Sequence, residues 1–326
     1  MWLRRLLGAD ATSLLEGPAR PAPATETASQ LILPGTDAWR AFVNAPFTPP
    51  VATPPSAFKM LDLLAASAQS ARGMGGLDGL TACARILAEI ADIKQREPHR
   101  RVVVSFDLDN TLFETRQRTL EVLKAYDAWS ERQGPRRFDG LILDAVGLNA
   151  RHTLDLLELA EGKKIDGHER QAIHDFWLGG FWEGAHFLRD LVIEPVFALA
   201  WAAKAVGAEV TYVTGRVNKA ATLAQLEHAG LPDAIAGNLF CKPTVETDTQ
   251  QFKADVFNQW LDRGDHVGWF LTEGCRDIEE ILKRVPRLPC IRLPFPYEVP
   301  GEAIAHVPVL PHAWSQQRRP IGIAAP

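Results

Sequence analysis

The stretch RVVVSFDLDNTLF, residues 101–113, decides the fold. Val102, Val103 and Val104 are followed by Ser105 and Phe106, and Arg101 and Asp107 bound the run. A short β-branched run between polar residues reads as a strand buried on both faces, as in the middle of a parallel sheet. It ends on Asp107-Leu108-Asp109-Asn110-Thr111, two carboxylates and a hydroxyl at the strand tip. Downstream, strands and helices alternate. Strands are predicted at Glu209–Thr214, Asn238–Cys241, His266–Leu271 and Cys290–Leu293. Helices are predicted at Asn218–Ala229, Gln250–Asp262 and Asp277–Lys283. Such alternation calls for an α/β fold, a Rossmann-like parallel sheet with helices on both faces.

Between the first and second strands lies a long helical stretch, interrupted at Gly134-Pro135, Gly140, Gly162 and Gly179-Gly180. No strand is predicted within it, and it reads as an all-helical insertion. Upstream, prolines scattered from Pro18 to Pro55 remove backbone donors and fix φ, so residues 1–58 read as an extended arm. Residues 59–100 read as helical, with Leu61, Leu64, Ile86, Ile90 and Ile93 at helical spacing. The division is therefore 1–58 arm, 59–100 helical segment, 101–114 with 206–295 core, 115–205 insertion, and 296–326 a Pro-rich, surface-tracking tail.

Composition narrows the function classes. The chain has 326 residues, 46% of them hydrophobic, enough for a substantial core and an added unit. Net charge is −5, which offers no concentration of Lys and Arg for nucleic acid or an anionic membrane surface. Cys83, Cys241, Cys275 and Cys290 form no CxxC pair, so zinc is not expected and reduced thiols of a cytoplasmic protein are. No apolar run approaches the ~20 residues that span a bilayer, and the apolar start of the chain is too short for a secretory signal.

In an open parallel sheet, ligands bind beyond the carboxyl ends of the strands. Asp107 and Asp109 end the first strand, Thr214-Gly215-Arg216 the second, and Thr272-Glu273 the fourth, with Asp277 four residues on. Lys242 and Lys253 flank the start of the helix after the third. Carboxylates, a hydroxyl and a lysine thus gather at one edge. Alone, each is an ordinary turn or helix-end residue.

Taken in order, these segments resemble the four motifs of haloacid dehalogenase superfamily phosphatases. Residues 106–113, FDLDNTLF, look like the DxDxT signature; VTGR at 213–216 looks like the second motif. FKAD at 252–255 resembles the third, and LTEGCRD at 271–277 the fourth, with Glu273 where the family usually has Asp. The insertion resembles the family's helical cap. The resemblance implies a phosphatase working through an aspartyl-phosphate on Asp107, with Asp109 as acid and then base. It implies Thr214 holding a phosphoryl oxygen and Lys253, or else Lys242, neutralising charge. It implies Mg²⁺ on Asp107, the carbonyl of Asp109, and Glu273 or Asp277, and substrate contacts from Thr111, Gly215 and Arg216. The implied partner is a small phosphorylated metabolite; a phosphomutase shares Asp107 and Asp109. Within the insertion, Arg116, Arg118, Arg151, His152, Lys163, Lys164, Trp177 and Trp182 are further candidates for touching substrate. The alternative from another class is a non-catalytic scaffold that engages a protein through the N-terminal arm.

Overall fold

The computed structural model describes residues 79–130, 137–138, 140–147, 149–294, 302–310 and 318–321. The predicted N-terminal arm, and the helical segment as far as residue 78, lie outside them. Helix α1, Gly79–Arg96, places Leu80, Cys83, Ala84, Leu87, Ile90 and Ala91 on its buried side. That is the 3-4-3-4 spacing of an apolar helix face.

Strand β1, Val102–Phe106, is buried at every position. Val102, Val104 and Phe106 point into one core and Val103 into the other, as strand alternation requires. After it come β2, Phe113–Glu114, and three helices: α2, Arg116–Ser130; α3, Ala150–Glu161; and α4, Gly167–Phe181. Then follow β3, Leu191–Ile193; α5, Glu194–Ala205; β4, Glu209–Thr214; α6, Lys219–Ala229; and β5, Leu239–Cys241. The chain continues with α7, Thr249–Asp262; β6, His266–Thr272; α8, Cys275–Arg284; β7, Cys290–Arg292; and β8, Arg318–Pro320.

The main sheet runs β5-β4-β1-β6-β7, with every pairing parallel. Residues of α1, α5 and α6 fill one face and residues of α7 and α8 the other. This is the doubly wound arrangement predicted above. With β1 central, the strand order reverses between β1 and β6, which opens a crevice at their carboxyl ends. The register of β1 on β6 slips after Val103, so that Val103 faces Val267 and Val104 faces Trp269. Gly268 is the extra residue of that bulge, and a Cβ there would come within 3.1 Å of Ile86 and Ile90 of α1.

The structure departs from the sequence reading in three places. The stretch predicted to hold no strand contains β3, which pairs antiparallel with β2 and with β8. A three-residue strand is too short to show a period in sequence. Helix α5 falls within the residues that the sequence reading gives to the insertion, but its buried run Pro195–Ala203 packs with the sheet core. Among the described residues, the separate core of the insertion draws on residues from Leu120 to Phe181. An apolar helix with no polar face is a helix buried in the main core. Thirdly, the tail predicted to track the surface buries Ile304, Val307 and Leu310, and Val309 bridges to Arg292 beside β7.

Gly79 marks where this tail meets α1. Its N–H donates to the carbonyl of Val309 at 2.9 Å, and a Cβ would sit 2.5 Å from the backbone of Val309. Glycine to alanine in a helix ordinarily stabilises by about 1 kcal/mol. Here overpacking against backbone is expected to reverse the sign, with Gly79→Ala costing about 1–3 kcal/mol. Urea unfolding midpoints of the two proteins measure this; a variant as stable as wild type would contradict the close approach.

Candidate active site

The peptide after β1 closes into a tight loop. Thr111, Leu112 and Phe113 all donate backbone N–H groups to the carbonyl of Leu108. Asn110 takes a left-handed φ of 56°, a conformation Asn tolerates better than most residues. Its side-chain oxygen accepts from the N–H and hydroxyl of Thr115 at 3.2 and 2.9 Å. Asp107 and Asp109 are thus fixed on a hydrogen-bonded turn at the β1–β6 crevice.

Asp107 is held from three directions. Lys253 Nζ donates to Oδ2 at 2.7 Å, Thr272 Oγ1 donates to the same oxygen at 3.2 Å, and the N–H of Leu108 donates to Oδ1 at 2.8 Å. Lys253 lies in the second turn of α7, 1% exposed, and also donates to Asp277 Oδ2 at 2.6 Å. Gln250 holds the other oxygen of Asp277 at 2.7 Å. Burial opposes a charged lysine, but Asp107 and Asp277 outweigh it and hold Lys253 protonated well above the usual range. Burial pushes the Asp107 carboxyl up, and the Asp277 charge adds to this against the pull of Lys253. Lys242, the alternative lysine, is half-buried and donates to the carbonyl of Val245 at 3.1 Å.

Glu273 stands on the far side of Thr111. It accepts from Thr111 Oγ1 at 2.5 Å, and its own N–H donates back to that hydroxyl at 3.2 Å. Thr272 Oγ1 lies between Glu273 and Asp107, 3.4 Å from Oε2 of Glu273. Burial first, then the Asp107 charge, lift the Glu273 carboxyl to about 8.

Asp109 faces a different set of charges. Arg216 grips it with two bonds, Nε to Oδ2 at 3.0 Å and a terminal nitrogen to Oδ1 at 2.7 Å. Arg118 adds a third at 3.1 Å. Burial alone would raise its pKa, but Arg216 and then Arg118 prevail and hold it at about 2. As found, Asp109 is a carboxylate that accepts hydrogen bonds from both guanidiniums.

The other residues singled out from sequence fall as follows. Thr214 is fully buried at the end of β4, and its hydroxyl accepts from the N–H of Arg216 at 3.3 Å. Gly215 packs against Thr249, which a Cβ would approach to 3.0 Å. Arg216 and Thr111, expected to face substrate, are 0% exposed and are engaged with Asp109 and Glu273 instead. Arg118 is likewise turned inward, and Arg116 pairs with Glu114. Lys163 and Lys164 are exposed in a loop after α3, and Trp177 belongs to the core of the insertion. Sequence reasoning missed Asp190, Gln225 and Gln250. A lone Asp before Leu191-Val192-Ile193, the start of an apolar run, was the available cue for the first.

Among the described residues, no three acidic, His or Cys side chains converge as a preformed metal cage. Mg²⁺ does not need one, because it usually takes one or two carboxylates and completes its shell with water and substrate oxygens. The carboxyls of Asp107 and Glu273 flank one hydroxyl, and one ammonium pairs with both Asp107 and Asp277. Such an excess of hard, negative oxygen fits a divalent cation.

No protein-family model matches the chain, and no curated protein matches it. Solved structures do. A Clostridium difficile protein assigned as a phosphatase aligns at 10% identity and TM-score 0.46, over 65% of this chain and 94% of that one. A predicted phosphatase of Clostridium acetobutylicum aligns at 16% and 0.40, over 66% and 95%. A haloacid dehalogenase-like family hydrolase of Xanthomonas campestris aligns at 19% and 0.33, over 65% and 90%. The fold is α/β with a doubly wound parallel sheet. Alignments this distant assign no reaction.

The raised Glu273 carboxyl sets a pH dependence of stability. Between its ordinary 4.5 and about 8, the folded protein keeps a proton that the unfolded chain has released. Stability therefore falls as pH rises through that window and levels off above it. Thermal midpoints of EDTA-treated protein are expected to decline from pH 5 to 8, and Glu273→Gln to flatten the decline. An unchanged slope in the variant would count against the electrostatic account of this site.

Proposed function

We propose that the protein is a phosphomonoester hydrolase that acts on a small phosphorylated metabolite through an aspartyl-phosphate on Asp107. One observation carries the proposal. A buried carboxylate stands at the tip of the central strand, in the crevice of a doubly wound sheet, with a buried lysine 2.7 Å away. Lys253 pulls Asp107 toward the ionised form that a nucleophile requires, against the effect of burial, and offsets charge on the phosphoryl oxygens as transfer proceeds. Asp277, itself held by Gln250 of α7, secures Lys253 from the α8 side. Thr214 lies at the adjacent strand end, where its hydroxyl suits a phosphoryl oxygen.

In this reading Asp109 takes the proton of the water that attacks the aspartyl-phosphate. Protonating a leaving oxygen requires its release from Arg216, a movement the resting geometry does not contain. Asp107, Glu273 and the carbonyl of Asp109 are the groups proposed to hold Mg²⁺, with Asp277 already committed to Lys253. When bound, the ion supplies positive charge that draws the phosphate into place and lowers repulsion with the nucleophile. None of the four cysteines is in a disulfide. No helix among the described residues is long and apolar enough to cross a membrane. These support the proposal of a cytoplasmic enzyme.

The test is phosphate release from an aryl phosphate and a panel of phosphorylated metabolites, with Mg²⁺ and with EDTA. Release is expected only with Mg²⁺, and Asp107→Asn is expected to lower it by on the order of 10³-fold or more. Full activity in Asp107→Asn would overturn the proposal, and transfer to a second hydroxyl in place of release would reassign it to a mutase.

A further inference from the structure

Behind Asp109 lies a second cluster of buried charge that the proposed chemistry leaves unused. Arg118, Asp190, Arg216 and Gln225 are each no more than 1% exposed. Arg118 Nε donates to Asp190 Oδ1 at 2.9 Å, and a terminal nitrogen of Arg118 donates to Oδ2. Gln225 Nε2 donates to Asp190 Oδ2 at 2.8 Å, and Arg216 reaches the same oxygen at 3.4 Å. Arg216 also donates to Gln225 Oε1. Phe187 stacks under both guanidiniums, 4.6 Å from Arg118 and 4.3 Å from Arg216.

Together with Asp109, the cluster draws on five separate places: the β1 loop, α2, the segment before β3, the loop after β4, and α6. Two carboxylates meet two guanidiniums, so it is electrically balanced. Buried ion pairs rarely add stability over apolar residues of like size, whereas they do fix geometry. All three bonds that Asp109 accepts from side chains come from this cluster. The segment that carries Asp190 is also tied to the Asp109 loop, because the N–H of Ile193 donates to the carbonyl of Leu112 at 2.9 Å.

We propose that Arg118 and Asp190 are positioning residues: by fixing Arg216 they aim the carboxylate of Asp109 at the water that hydrolyses the aspartyl-phosphate. Arg118 bears on Asp109 directly at 3.1 Å, and Asp190 acts only through the two arginines. The inference rests on the hydrolase reading above and goes beyond it, because it ties the rate of one chemical step to a pair outside the motifs. Misalignment of a reacting group by about 1 Å can cost 10²-fold in rate.

The experiment follows decay of labelled phospho-enzyme in the Mg²⁺-loaded protein, using a labelled aryl phosphate. The principal variant is Arg118→Met with Asp190→Leu, which removes a whole charge pair and leaves Arg216 with Asp109. The second is Asp190→Asn, which keeps the shape of the site. Decay is expected to slow roughly 10- to 100-fold, with KM changed less than about threefold. In an Asp109→Asn background the same changes are expected to slow decay no further, as for groups that act as one unit. Wild-type decay in a folded variant, or a slowing that adds to that of Asp109→Asn, would overturn the inference and leave the hydrolase reading standing. Failure of wild type to take up label would remove both. If neither variant folds, the cluster is structural and the inference is withdrawn.

Discussion

The ammonium of Lys253, 1% exposed and seated between Asp107 and Asp277, is the interaction on which the site depends. It joins α7 and α8 to the tip of β1, and so ties one helical layer to the central strand. A charge cannot be buried without partners, so the three residues stand or fall together. The same contact works against burial to favour the ionised form of Asp107, the form a phosphoryl acceptor needs.

Two buried charge clusters meet at the carboxyl end of β1, and they differ in balance. Around Arg118 and Arg216 the charges match, and the groups are closed to ligand. Around Asp107 acids outnumber the single lysine, and burial lifts Glu273 to about 8 as a result. The unbalanced cluster is the one with capacity for a cation and for charge to move. The balanced one holds Asp109 still. The two are adjacent because Asp107 and Asp109 are separated by a single residue on a tight turn, and each faces its own cluster.

Much of this was legible in the sequence, for physical reasons that can be named. Strand β1 announced itself because burial on both faces demands an unbroken apolar run, and Val102 to Phe106 supply one. The alternation after Glu209 gave the parallel sheet. Lys253 was preferred to Lys242 from its place near a helix start, and the structure puts it on Asp107. What escaped was set by tertiary contact. Strand β3 is too short to carry a period, and α5 was placed in the insertion although its apolar surface belongs to the sheet core. The resemblance implies Arg216 and Thr111 as ligand contacts, yet each is occupied by a carboxylate from another segment. Asp190 lies 81 positions from Asp109, and no local spacing links them.

The central claim is that Asp107 itself receives the phosphoryl group. It is tested most directly by rapid acid quench of the Mg²⁺-loaded protein during turnover of a phosphorus-labelled aryl phosphate, followed by peptide mapping. Label on the peptide that contains Asp107, lost on treatment with hydroxylamine, is the expected result. Steady turnover with no label on that peptide, or with label on another residue, would contradict the account.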